Sequence, residues 1–383
     1  MFNFDFYNPT HIIFGRDRLV SIDEHVPKDA TVLITFGGGS AKKSGLIDRV
    51  RAVLGDRSVA EFGGIEPNPR YETLVKAVHT VKKENIDFIL AVGGGSVIDG
   101  TKFIAAAAKY DGEPAELLQG GHAPLLEAVP FGAVLTLPAT GSEMNSAAII
   151  SYQHGKWFFS SPLVFPRFSV VDPAITFTLP QKQVANGVVD AFIHVTEQYL
   201  TFPAEGRVQD RMAEGILLTL LEIGETSVLE NENYDARANH VWSATMALNG
   251  LIGCGVPQDW STHSIGHELT AMFGIDHGQT LAVILPALLE VRREQKRAKL
   301  LQYAERVWHI ASGSEEEKID SAIQKTREFF ERLGVKTHLS DYGVRGDRIP
   351  AIVEQLKAHG MTAISETGDL TPDIAQKILE MAL

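Results

Sequence analysis

The chain has 383 residues, 44% hydrophobic and 22% charged, with a formal net charge of −13. That length allows two domains with full cores, the composition is that of an ordinary soluble globular protein, and the acidic balance argues against a nucleic-acid-binding surface. A single cysteine, Cys254, excludes an intramolecular disulfide, and the absence of a basic leader and of any long apolar run makes a cytoplasmic protein with no membrane partner the expectation.

Residues 31–36 form a short apolar, β-prone run that ends on Gly37-Gly38-Gly39-Ser40, and a helical pattern covers 41–54. A second candidate strand, 59–62, leads to Gly63-Gly64 and the turn Glu66-Pro67-Asn68-Pro69, and 71–84 reads as a helix. Residues 87–92 are a third strand, closed by Gly93-Gly94-Gly95-Ser96 and followed by a helix over 98–109. Residues 131–137 are a fourth, ending at Pro138-Ala139-Thr140-Gly141-Ser142. Strands alternating with helices predict a doubly wound parallel sheet, whose ligand sites lie at the carboxyl ends of its strands. Residues 148–152, 157–159 and 169–171 look like short strands, expected as a ribbon beside that sheet.

A strand, a glycine-rich turn and a helix start together suit a phosphate, because free N–H groups point at it and the glycines let it approach the backbone. Neither loop carries the third glycine of a dinucleotide fingerprint, and Lys42 occupies the glycine position that a P-loop requires. Each loop alone could be no more than a tight turn. Two in successive α/β units favour a dinucleotide.

After Pro180 the strand signals stop. Helical patterns cover 184–200, 208–222, 236–251, 262–272, 280–303, 316–333, 348–360 and 373–381, so the expected organisation is an α/β dinucleotide-binding domain, 1–180, and an all-helical metal-binding domain, 181–383. Asp190 and His194 stand four apart on the first long helix, and His263 and His267 stand four apart on the fourth. Residues four apart share a helix face, and Gly274 permits a turn that brings His277 back toward it. Single pairs of this kind are usually surface or satisfied core residues. Two pairs plus a further histidine, His277, flanked by apolar runs, point to a divalent metal such as iron(II) or zinc. Ile265, Leu269, Met272 and Phe273 suggest an apolar pocket beside the histidines.

Over its full length the chain resembles the iron-containing alcohol dehydrogenase family, closest to its NADP-dependent butanol dehydrogenase and broad-range aldehyde reductase branch. The matching blocks are Gly93-Gly94-Gly95-Ser96-x-x-Asp99, residues 136–143, Asp190-x-x-x-His194, and His263-x-x-x-His267 followed by His277-Gly278. The family's usual Pro-Thr-Thr-x-x-x-Gly-Ser-Glu loop is shorter here, Pro138 to Glu143. The resemblance implies an N-terminal nucleotide-binding domain, a helical domain, and a homodimer. It also implies metal ligation by Asp190, His194, His263 and His277, with His267 lining the site as a catalytic, proton-relaying residue. Gly94, Gly95 and Ser96 would hold a pyrophosphate, Asp99 would fix the loop, and Asn68 and Thr140 would lie near the nicotinamide. Gly37, Gly38, Gly39, Ser40, Lys43, Thr136 and Lys156 complete the expected cofactor contacts.

The expected activity is therefore NADP(H)- and metal-dependent reduction of aldehydes to primary alcohols, with a small-molecule aldehyde or alcohol as the partner. NADP(H) is favoured because the first glycine loop carries no acidic residue to accept from a ribose 2′-hydroxyl, so Gly39→Asp is expected to shift use toward NADH. The rivals are a dehydroquinate-synthase-like or glycerol-dehydrogenase-like enzyme of the same fold, and a non-catalytic nucleotide sensor. The sensor has no need of four metal ligands.

Overall fold

Strand β2 (Val32–Phe36) is buried along its whole length, which is how a central strand of a parallel sheet reads when both faces are covered. The computed structural model describes residues 1–118, 125–153 and 155–383, and these form two compact units, 7–179 and 1–6 with 180–383. The first six residues thus group with the helical unit and not with the α/β domain expected from the sequence.

The α/β unit runs β1 (His11–Phe14), α1 (Ile22–His25), β2, α2 (Ser40–Lys43), α3 (Leu46–Leu54), β3 (Val59–Phe62), α4 (Tyr71–Lys83), β4 (Phe88–Gly93), α5 (Gly95–Ala107), β5 (Phe131–Leu135), β6 (Ala147–Tyr152), β7 (Gly155–Ser160) and β8 (Phe168–Val171). Among the described residues six strands form one parallel sheet in the order β1-β8-β5-β4-β2-β3. On one face Val32, Ile34, Phe36, Leu90 and Val92 pack with Ile47, Val50 and Leu54 of α3. After β2 the chain goes to β3 on one side and then to β4 on the other. The two glycine loops therefore leave neighbouring strands, with Phe36 opposite Val92, at the point where the strand order reverses.

Three local expectations change. Strand β1 is additional to the strands expected from the sequence, and it pairs with β8 at the sheet edge. Residues 168–171 belong to the main sheet between β1 and β5, and only β6 and β7 form the side ribbon, as an antiparallel hairpin. The single helix expected over 41–54 is two, because Gly45 adopts φ 75 at the N-cap of α3.

The helical unit comprises α6 (Gln181–Tyr199), α7 (Arg207–Leu229), α8 (Tyr234–Ala247), α9 (Ser261–Phe273), α10 (His277–Val291), α11 (Arg297–Arg306), α12 (Glu315–Arg332), α13 (Ile349–Ala358) and α14 (Pro372–Met381). Helix α6 is buried on nearly every side from Val184 onward, packed against α7, α8 and α10, while α9 packs on α10 and α13. A helix buried on all sides is a core helix, and its close neighbours restrict every side chain on it. It can therefore hold its few polar side chains in fixed positions. The helix expected over 280–303 breaks after Val291. Arg292 and Lys296 turn inward there, Arg292 to Asp369 and Lys296 to Asp259, Glu366 and the Leu200 carbonyl.

Candidate functional site

In the helical unit, α6 presents Asp190 and His194 on one buried face. Helix α9 supplies His263, ends at Gly274 with φ 69, and lets the chain turn into α10, whose first residue is His277. Gly278 is required by close approach: a Cβ there would lie 2.6 Å from the Asn186 carbonyl oxygen of α6. The resulting geometry is centred on one oxygen. Asp190 Oδ1 stands 3.6 Å from His194 Nε2 and 3.7 Å from both His263 Nε2 and His277 Nε2.

These separations are too long for hydrogen bonds, and Asp190 Oδ1 and His263 Nε2 are buried with no hydrogen-bond partner among the described residues. Buried polar atoms left this way are costly unless something else satisfies them. Four ligand atoms bonded to one ion at about 2.1 Å in a tetrahedron would stand about 3.4 Å apart, close to what is seen. The candidate ligand atoms of Asp190, His263 and His277 all lie within 4.8 Å of one another. Residue types, burial and spacing fit a divalent cation. Burial opposes the charge on Asp190, but His194, His263 and His277 hold its carboxyl well below the usual carboxylate range. His267 lies one turn beyond His263, half-buried, its ring 5.2 Å from that of His277 and 6.0 Å from that of His263. It is beside the cluster, outside the four-atom group.

Ile265 and Leu269 do not line this site. At 3.6 residues per turn they fall on the side of α9 opposite His263 and His267, and both are fully buried core residues. Two neighbours stand outside the site expected from the sequence. Trp260 packs its ring edge-on to His194 and His263. Glu197 accepts from the backbone N–H of Thr262 (2.7 Å) and of His263 (3.2 Å), and its other oxygen meets His263 Nδ1. Burial raises the Glu197 carboxyl above its ordinary value, and the His263 ring opposes that rise. Asp190, His194 and Glu197 fall at i, i+4 and i+7, so the helix face could have revealed it.

In the α/β unit the glycines divide by role. A Cβ on Gly93 would lie 2.5 Å from Val97, and one on Gly95 would lie 2.3 Å from Thr140 Oγ1, so packing alone demands glycine at both. Gly38 and Gly39 face open space, Gly39 with φ 106. Gly37 approaches the Ile65 carbonyl. The loop Gly93–Ser96 sits at the N-terminus of α5, where backbone N–H groups are unpaired. Asn68, at φ 57, donates its N–H to Ser96 Oγ (3.3 Å), and Thr136 donates its N–H to the Gly93 carbonyl (3.0 Å). Lys156 lies opposite Ser151 in the hairpin, and Ser151 Oγ donates to the Asn68 carbonyl. The structure therefore gathers Gly37–Ser40, Asn68, Gly94–Ser96, Thr136 and Thr140 around the ends of β2, β4 and β5, while Lys156 lies on the β6–β7 hairpin.

Asp99 accepts from Ser142 Oγ (2.5 Å) and the Ile149 N–H (3.0 Å), tying α5 to the shortened 138–143 loop and to β6. Lys102, outside the contacts expected from the sequence, is fully buried and donates to Ser142 Oγ, Asn145 Oδ1 and the Ala147 carbonyl. Burial pulls its ammonium down to about 8. Lys43 is exposed on α2, whereas the Lys42 ammonium is taken by Glu61 at 2.8 Å.

The profile of the iron-containing alcohol dehydrogenase family matches residues 9–173, and the C-terminal profile of the Fe-containing alcohol dehydrogenase family matches 184–380. This chain belongs to the iron-containing alcohol dehydrogenase family. It is 58% identical to the NADPH-dependent aldehyde reductase YqhD of Escherichia coli over 100% of both chains, and 41% identical to a probable NADH-dependent butanol dehydrogenase of Bacillus subtilis over 94% of this chain and 95% of that one. A crystal structure of E. coli YqhD superposes with a TM-score of 0.98 at 57% identity, covering 100% of this chain and 99% of the other. As an iron-containing alcohol dehydrogenase the protein is an oxidoreductase acting on small molecules. No described helix is long and apolar enough to cross a membrane.

Proposed function

We propose that the protein reduces aldehydes to primary alcohols with NADPH, using one divalent metal, iron(II) or zinc, held by Asp190, His194, His263 and His277. The observation that carries this is the group of three imidazole Nε2 atoms, each 3.6–3.7 Å from one buried aspartate oxygen, in a chain 58% identical to an NADPH-dependent aldehyde reductase along its whole length. When bound, the metal would polarise a carbonyl oxygen as a Lewis acid and the nicotinamide would supply a hydride.

The chain's own residues do the rest. Asp190 stays ionised and offsets the charge of a cation. His267, half-buried and one turn from His263, relays a proton to the alcohol oxygen. Gly94, Gly95 and Ser96 offer the N–H groups at the start of α5 to a pyrophosphate. Gly38, Gly39, Ser40 and Lys43 receive a ribose 2′-phosphate, at a loop that is open and carries no carboxylate. The neighbouring acid, Glu61, is neutralised by Lys42 and Arg51, with N–O separations of 2.8 and 3.0 Å. The proposal includes a cytoplasmic homodimer. The lone, buried thiol of Cys254 is compatible with a reducing compartment.

Metal content measured beside NADPH and NADH oxidation, across aldehydes of two to six carbons, tests the reading. The expected result is about one metal per chain with NADPH preferred. A protein that binds NADPH but takes up neither iron nor zinc would support the nucleotide-sensor alternative instead.

A further inference from the structure

The Glu197 carboxylate does two things at once, and only one is explained by folding. Oε1 accepts from the N–H groups of Thr262 and His263, which begin α9 and have no partner inside that helix. Oε2 faces His263 Nδ1, and the side chain is only 2% exposed. Its backbone takes part as well, because the Glu197 carbonyl accepts from the Asp259 N–H at 2.8 Å. Asp259 in turn accepts from the Ser261 N–H at 2.9 Å and pairs with the buried ammonium of Lys296 at 2.8 Å. The segment from Asp259 to His263 is thus held on both sides before the histidine is reached.

We propose that Glu197 is a positioning residue that makes His263 a metal ligand. It fixes the ring proton on Nδ1 and so leaves the Nε2 lone pair facing Asp190. Neutral imidazole has two tautomers, and which one exists is set by the hydrogen bond made at the other nitrogen. Two backbone N–H groups already donate to Oε1, and Oε2 faces Nδ1 as an acceptor, which places the ring proton there. Nε2 is then the unprotonated atom, and it is the one that lies 3.7 Å from Asp190 Oδ1 with no hydrogen-bond partner among the described residues. Both carboxylates come from one face of α6, at i and i+7. The helix that supplies a ligand in Asp190 therefore also sets the orientation of a ligand on α9. This inference rests on the reading that the metal lies among Asp190, His194, His263 and His277.

Glu197→Gln separates this role from capping. The amide oxygen can still accept from Thr262 and His263, so a capping role alone predicts unchanged metal affinity. The amide NH2 must then face Nδ1, which becomes an acceptor and moves the ring proton to the ligand atom. Zinc affinity, measured by competition with a chromophoric chelator on metal-depleted and reconstituted full-length protein, is expected to fall about 10- to 100-fold. An affinity unchanged in Glu197→Gln while the wild type binds zinc overturns the role of Glu197 and leaves the metal site standing. A wild type that takes up no metal overturns the site reading and this inference with it. A second measurement does not depend on the variant's folding. A long-range proton–nitrogen spectrum of zinc-loaded wild type, with His263 assigned by its loss in His263→Gln, is expected to show Nδ1 protonated. A proton on Nε2 of His263 overturns the proposal.

Discussion

Asp190 and His263 contribute their side chains to a cluster with no other evident purpose, since buried, unpaired atoms of this kind lower stability unless a ligand satisfies them. Asp190→Ala and His263→Ala are each expected to strip the metal and abolish turnover while leaving NADPH binding largely intact. His267→Ala is expected to keep the metal and slow reduction by roughly a hundredfold or more, the usual weight of a lost proton donor. Elemental analysis of the purified variants decides between these roles. A metal-free His267→Ala beside a metal-replete His263→Ala would reverse them. Cofactor choice is also a matter of single residues, and here the structure changes the test. Gly39→Asp is a poor probe, because φ 106 strains any side chain. Gly38 has open space around its missing Cβ and no such φ. Gly38→Asp is therefore expected to move the NADPH-to-NADH ratio of kcat/KM toward NADH, by repelling a 2′-phosphate and accepting from a free 2′-hydroxyl. An unchanged ratio would remove this loop from the discrimination.

Among the elements, those with strong local signals were legible in the sequence. Buried strands such as β2 and β4 read as continuous apolar runs between glycine turns, and α6, α7, α9 and α12 followed from periodicity. What failed was decided by long-range contacts. The edge strand β1 has four residues and gains its identity from β8, far along the chain. The break after α10 depends on where Arg292 and Lys296 find their carboxylates. The four candidate ligands were visible as spacings, whereas Glu197 and Lys102 show their partners only when elements pack.

Two predictions belong to the elements. Gly278 lets α10 begin against α6, so Gly278→Ala should push His277 away from Asp190. Overpacking of this kind costs roughly 1–3 kcal/mol, and metal affinity should fall by about tenfold or more, read by the same chelator competition. Retained affinity would mean that α10 is not pinned there. Lys102 makes the other prediction. Its folded value of about 8 lies below the ordinary 10.5, so between those values the unfolded chain binds a proton that the folded chain does not. Stability should therefore rise with pH from about 8 to about 10.5, and the penalty for the charged form is fully present below that window. The difference in unfolding free energy between wild type and Lys102→Met should shift in favour of the wild type by up to about 3 kcal/mol across it. Urea denaturation at several pH values measures that difference, and a pH-independent gap would show that Lys102 titrates normally.

For the whole molecule, the proposed ligands divide along the chain. Each candidate metal ligand comes from the helical unit, and each candidate cofactor contact comes from the α/β unit. A ligand that binds only the folded state stabilises it by an amount set by its concentration relative to its Kd, about 2.7 kcal/mol at a hundredfold excess. Amide exchange in the segments that hold the ligand should slow accordingly, by up to roughly a hundredfold where exchange requires those segments to open. Zinc added to metal-free protein is expected to protect α6, the start of α9 and the start of α10. NADPH is expected to protect residues 37–40, 93–99 and 136–142. Hydrogen–deuterium exchange read by mass spectrometry on the full chain, with each ligand alone and then with both, resolves these segments. Zinc protection confined to the glycine loops, or NADPH protection confined to α6 and α9, would overturn the division of labour. The Asp190→Ala protein is the internal control. It should lose the zinc-dependent protection of α6, α9 and α10 and keep the NADPH-dependent protection of the loops, because the mutation removes a ligand from one unit and leaves the phosphate-binding backbone of the other untouched.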